Sequence, residues 1–137
     1  MALTWLVDTS VLTRLSKSEV REAVAPLAEQ GRVGRCTMSD LETGFSARNA
    51  NEWDALQRAL GAFPVVDVVS SDFDQAKETQ RALASLGLKG RKVPDLIIAA
   101  VALRMELTVL HYDGDFELIE QVTGQPTRWV VERGTVD

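Results

Sequence analysis

Four carboxylates in this chain stand where an apolar run gives way to a helical pattern: Asp8, Glu42, Asp95 and Asp113. Asp8 directly follows the run Leu3–Val7, and Asp113 directly follows Thr108–Tyr112. Glu42 falls in the first turn of the helix after Val33–Met38, and Asp95 in the first turn of an alanine-rich helix. Brought together, such groups repel; two carboxylates about 4 Å apart do so by roughly 4 kcal/mol at an effective dielectric of 20. A divalent cation resolves the repulsion, and hard oxygen ligands select Mg2+ or Mn2+ over zinc or copper. That chemistry suits phosphodiester hydrolysis, because the cation activates water and neutralises charge on the phosphoryl and leaving oxygens. Two metals about 4 Å apart would do both jobs at once.

Each acid also has a plainer reading. Ser39-Asp40-Leu41-Glu42 is a capping-box pattern in which Glu42 serves Ser39. Asp8 could close a turn, and Asp115 reads as the cap of a helix beginning at Phe116. Asp95 is the most telling: Ile98, Ala99 and Ala102 share its helix face, the face expected against a sheet. A charge at the end of a buried stripe needs a partner. The positive end of the helix dipole favours one anion but cannot hold several together.

The elements that must position these residues alternate. Strands are expected at Leu3–Val7, Val33–Met38, Val65–Val69, Thr108–Tyr112 and Thr127–Val131. Helices are expected at Val11–Ser16, Glu19–Gln30 after Ser18, Ser39 to Arg48, Asn51 to Phe63, Ser71 to Leu86, Asp95–Met105 with Pro94 in its first turn, and Phe116–Val122. Alternation of this kind predicts an α/β chain with a parallel sheet covered on both faces. In such a sheet ligands bind outside the carboxyl ends of the strands, so all four acids point to one edge.

At 137 residues the chain is read as one domain, 1–137, with 45% hydrophobic and 26% charged residues, which excludes a disordered or fibrous class. The single cysteine, Cys36, excludes an internal disulfide and a thiolate zinc cluster and reads as a small buried strand residue. The longest apolar run, Leu96–Leu103, is too short to span a bilayer, and Met1–Val7 reads as a strand and not a signal peptide. No membrane association and a cytoplasmic location are expected. The net charge of −5 argues mildly against a broad nucleic-acid surface, but setting four of the 20 acids in one metal pocket leaves 16 against 15 bases. Trp5, Trp53 and Trp129 are too widely spread to suggest a base-stacking platform.

The sequence resembles PIN-domain ribonucleases, in particular VapC-type toxins of type II toxin–antitoxin pairs. The resemblance covers essentially the whole chain and rests on four motifs in order: Leu6-Val7-Asp8-Thr9-Ser10, Ser39-Asp40-Leu41-Glu42-Thr43-Gly44, Val93-Pro94-Asp95-Leu96-Ile97-Ile98-Ala99-Ala100 and Tyr112-Asp113-Gly114-Asp115-Phe116. It implies a three-layer α/β/α sandwich with a mainly parallel five-stranded sheet and a Mg2+- or Mn2+-dependent acidic site at Asp8, Glu42, Asp95 and Asp113. Asp115 matches the second acid of the last motif, and Ser10 the hydroxyl position of the first. His111 stands where the family often has threonine and reads as a structural or supporting residue. A single histidine also excludes a metal-free ribonuclease that uses two.

The resemblance further implies an endoribonuclease that cuts structured RNA, such as a tRNA or rRNA loop, and so inhibits translation. The implied partners are a VapB-type antitoxin and a second copy in a homodimer, with the helices Glu19–Gln30 and Asn51–Phe63 as groove walls or as ordinary core helices. Arg14, Lys89, Arg91 and Lys92 are candidates for guiding RNA phosphates, weighed against a solvated basic loop. The competing readings fit less well. A haloacid-dehalogenase-type phosphatase needs a second Asp where Ser10 stands, and a TOPRIM-type site leaves Asp8 and Asp95 unexplained. The alternative of another class is a catalytically silent PIN-like protein-interaction module.

Overall fold

The structure, a computed structural model, describes residues 2–88 and 91–137. Five strands, β1 (Trp5–Val7), β2 (Val33–Cys36), β3 (Val65–Val66), β4 (Thr108–His111) and β5 (Thr127–Trp129), form one parallel sheet in the order β3-β2-β1-β4-β5. The helices are α1 (Thr9–Leu12), α2 (Ser18–Glu29), α3 (Thr37–Gly44), α4 (Ala50–Leu60), α5 (Ser70–Ser85), α6 (Val93–Met105) and α7 (Asp115–Thr123). Each strand is shorter than its apolar run, but every expected element is present.

Adjacent strand residues face opposite ways, which divides the interior in two. Leu6, Cys36, Val66 and Val109 face one core with α5, α6 and α7. Val7, Val33 and Leu110 face the other with Val11, Val20 and Val24. The result is the three-layer arrangement. Asp95 to Ala102 are all buried, so the middle of α6 is enclosed on every side and not along one stripe. Its alanines leave room for close packing against α5.

Helix starts differ from the expected ones where a side chain caps differently. Asp8 accepts the Ser10 amide at 3.0 Å, so α1 begins at Thr9 and not at Val11. Asn49, not Asn51, caps α4, with its Oδ1 taking the Glu52 amide at 2.8 Å. Lys17 occupies the cap position of α2, so Ser18 lies inside the helix. Helix α3 begins at Thr37, two residues early, and this puts Asp40 rather than Glu42 in its first turn. The capping box is therefore not formed: Ser39 is fully buried, and Glu42 bonds elsewhere.

Candidate active site

The strand order reverses at β1, whose neighbours β2 and β4 lie on opposite sides. Such a switch point opens a crevice at the carboxyl ends of the strands. A cleft of about 590 Å³ lies there, lined by Asp8, Thr9, Ser10, Arg14, Glu42, Lys92, Asp95, Tyr112, Asp113, Trp129 and Arg133 among others. Asp8 leaves β1, Glu42 sits on α3, Asp95 sits in the first turn of α6, and Asp113 leaves β4. The four expected acids therefore meet, although 105 positions separate Asp8 from Asp113.

Asp8 is 2% exposed; one carboxylate oxygen caps α1, while Oδ1 is buried and accepts from no donor among the described residues. Burial pushes its pKa up to about 6 against the bonds from Ser10, and the charges of Glu42 and Asp113 add to the rise. Asp95 is 3% exposed, and its Oδ2 likewise lacks a donor among the described residues. Burial, then the charges of Asp8 and Asp113, push its pKa up to about 8 against the opposing pull of Lys92. At Asp113 partial burial works against ionisation, but the Asp115 amide at 3.0 Å and Lys92 Nζ at 3.1 Å outweigh it and hold the carboxyl below its ordinary value. Gly114 thus occupies the cap position of α7, and Asp113, one residue before it, accepts the first amide of the helix.

Asp95, Asp113 and Asp115 each offer a carboxylate oxygen within 4.8 Å of the others. Asp8 lies beside this trio and acts on it electrostatically. Two buried acceptors without donors, on neighbouring acids, fit a hard cation: it supplies the charge that burial has taken from water. Glu42 is held differently. Its Oε1 lies 2.7 Å from Thr9 Oγ1, which is also 2.9 Å from Ser39 Oγ. A hydroxyl has one proton, so Thr9 donates to the carboxylate and accepts from Ser39.

Ser10 Oγ accepts the Tyr112 amide at 2.8 Å, tying the end of β1 to the end of β4. His111 is fully buried between Phe116 and Trp129, with ring centroids 5.1 and 5.0 Å away. Burial pushes its pKa down to about 4 against the nearby acids. Its Nδ1 accepts the Asp113 amide at 3.2 Å. His111 is thus a neutral ring that fixes the turn carrying Asp113.

The basic candidates divide. Lys92 and Arg14 line the cleft. Arg91 pairs with Asp115 at 2.6 Å and lines a separate pocket with Leu83 and Leu96. Lys89 lies outside the described residues. Sequence reasoning missed Thr9, Tyr112, Trp129 and Arg133 as lining residues. Thr9 stood inside a quoted motif; Arg133 follows the last strand, where no periodicity marks it.

The PIN domain family matches residues 5–121. The chain belongs to that family, as a VapC-type member. It is 53% identical over 137 residues to Ribonuclease VapC51 of Mycobacterium tuberculosis, covering 100% of both chains. It is 40% identical over 141 residues to Ribonuclease VapC21 of the same organism, covering 98% of this chain and 99% of that protein. Among solved structures it is similar to VapBC2 from Rickettsia felis bound to a promoter DNA fragment, with a TM-score of 0.76, 14% identity and coverage of 93% and 98%. FitAcB from Neisseria gonorrhoeae gives a TM-score of 0.73 at 17% identity, with coverage again of 93% and 98%. These two share the fold of this PIN domain. Among the described residues no helix is long and apolar enough to cross a membrane.

Proposed function

We propose that this PIN domain is an endoribonuclease toxin that depends on Mg2+ or Mn2+ and is restrained by a VapB-type antitoxin. The observation that carries the reading is the pair of buried, donorless carboxylate oxygens on Asp8 and Asp95 beside Asp113 and Glu42. The ribonuclease names of relatives as similar as 53% support it. Asp8, Asp95 and Asp113 would hold the cation, with Asp115 beside them. The cation would supply positive charge to the phosphoryl oxygens and lower the pKa of an attacking water. Glu42, oriented by Thr9, positions that water. Ser10 and His111 hold the turns bearing Asp8 and Asp113, and Arg14 and Lys92 draw RNA phosphates into the acidic cleft. A cytoplasmic location accords with a tRNA or rRNA target.

Exposed apolar residues support a protein partner. Leu41 is 68% exposed, Phe45 92% and Trp53 47%, on and beside α3 and α4. Side chains of this kind grouped on a surface mark interaction sites. Such faces serve the antitoxin and a homodimer partner.

The test is cleavage of total cellular RNA by purified protein with Mn2+ or Mg2+, with chelator, and with Asp95→Asn in parallel. Discrete fragments that require both metal and Asp95 support the reading, and mapping their ends identifies the target. Intact RNA from folded, antitoxin-free protein overturns it in favour of an interaction module.

A further inference from the structure

Two aromatic rings line the cleft beside the acids: Tyr112 and Trp129, packed edge to face with centroids 5.4 Å apart and planes at 90°. Each carries a guanidinium: Arg14 lies 5.0 Å from the Tyr112 centroid, and Arg133 lies 5.5 Å from that of Trp129. Trp129 is itself fixed, since its Nε1 donates to Glu117 at 2.8 Å.

The cations of the cleft differ in what already occupies them. Lys92 is bound to Asp113. Arg14 donates to the carbonyl oxygens of Ser10 at 2.8 Å and Asp137 at 2.7 Å. Among the described residues, no carboxylate or carbonyl accepts from Arg133. A cation resting on a ring face keeps its in-plane N–H donors available, and a guanidinium fork matches two phosphate oxygens. Arg133 packs over Gly114: its Nη1 lies 3.5 Å from where a Cβ would stand there. The arginine therefore sits above the turn that carries Asp113 and Asp115. Both Trp129 and Arg133 fall beyond residues 5–121, the span the PIN family shares.

We propose that Arg133, mounted on Trp129, is a substrate-positioning residue that binds an RNA phosphate next to the one being cleaved. The proposal rests on the ribonuclease reading and adds a phosphate subsite to it. An acidic cleft repels a polyanion, so a cation with uncommitted donors at its edge sets where the strand enters. Trp129 acts as the seat of the guanidinium and not as a base-stacking platform.

The test separates binding from cleavage. Affinity for a fluorescein-labelled single-stranded oligouridylate is measured between low and moderate salt in the Asp95→Asn protein, with and without Arg133→Gln or Arg133→Lys. Arg133→Gln is expected to weaken binding roughly fivefold and to lower the slope of log affinity against log salt by about one phosphate contact. Arg133→Lys keeps the charge, so it restores the salt slope, but without the fork it regains only part of the affinity. Arg133 is exposed, so the fold survives either change, as circular dichroism checks. Equal affinity and slope for Arg133→Gln and its parent overturn the proposal, as does a parent that binds no oligouridylate. Failure of the ribonuclease reading shows separately, as intact total RNA with the unsubstituted chain.

Discussion

Thr9 and Glu42 lie 33 positions apart, yet the hydroxyl of one donates to the carboxylate of the other at 2.7 Å. That bond ties the turn after β1 to α3, so the acid from the second strand–helix unit is aimed by the first. Thr9→Val keeps the shape and removes the donor. Cleavage should fall roughly tenfold, because a hydrogen bond to a charged group is worth about 1.5–3 kcal/mol. Thr9→Ser should retain most of the activity. Initial rates on one mapped RNA site decide the matter; equal rates for wild type and Thr9→Val would remove Thr9 from the mechanism.

Asp8 and Asp95 are buried acids whose folded pKa values lie above their ordinary one, at about 6 and about 8. Through these two groups the folded chain binds more protons than the unfolded one between about pH 4 and 8. Their contribution to stability without divalent cations is therefore full below about pH 4 and is lost as pH rises to about 8, partly offset between about pH 4 and 6.5 by His111, which is held neutral. Thermal melts from pH 5 to pH 8 in chelator should show a drop of roughly 5 °C or more. Asp95→Asn should flatten that slope and raise the melting temperature at pH 8 while abolishing cleavage. A flat melting profile for the unsubstituted chain would contradict the burial of these acids.

Mg2+ or Mn2+ should reverse the same loss. Binding to the folded state alone stabilises by an amount set by concentration over Kd, about 2.7 kcal/mol at a hundredfold excess. The melting temperature at pH 8 should climb with metal concentration in the parent and stay constant in Asp8→Asn. A shift of equal size in both would detach the cation from this site.

His111 is neutral and enclosed, so it carries no proton in the reaction. His111→Phe should leave cleavage within about tenfold and lose about 1–2 kcal/mol of stability, since the Asp113 amide is left without its acceptor. The pH–rate profile should be unchanged in shape. A lost limb near neutral pH in the variant would make His111 a proton carrier.

Phe45, 92% exposed, belongs to the apolar surface assigned to a protein partner. Phe45→Asp should weaken binding of a co-expressed VapB-type antitoxin, read by co-purification, without lowering the melting temperature. Undiminished co-purification would move the interface elsewhere.

Much of this was legible because strand–helix alternation constrains where a chain turns. Asp8, Asp95 and Asp113 could be placed at one edge from element type alone, since each stands within a residue or two of a strand end or helix start. The role of Glu42 was harder to read. The pattern around Ser39 fits a capping box, but the buried hydroxyl of Ser39 and the reach of Thr9 gave α3 an earlier start. Local chemistry permits either outcome, and contact with another element decides. Asp115 is similar: it fits a cap in sequence, but it lies inside α7 and joins the acidic group. Trp129 and Arg133 were illegible as a pair. Their meeting depends on how the chain folds back after β5, and no repeat or spacing in sequence encodes that return.

The strand order has a consequence for timing. Because β4 is threaded between β1 and β5, the acids of the cleft come together only after residues up to Asp113 have been synthesised and docked. An emerging chain carries Asp8 and Glu42 early but holds them in no common place. A growing chain therefore has no assembled acidic site until Asp113 has been made and β4 has docked.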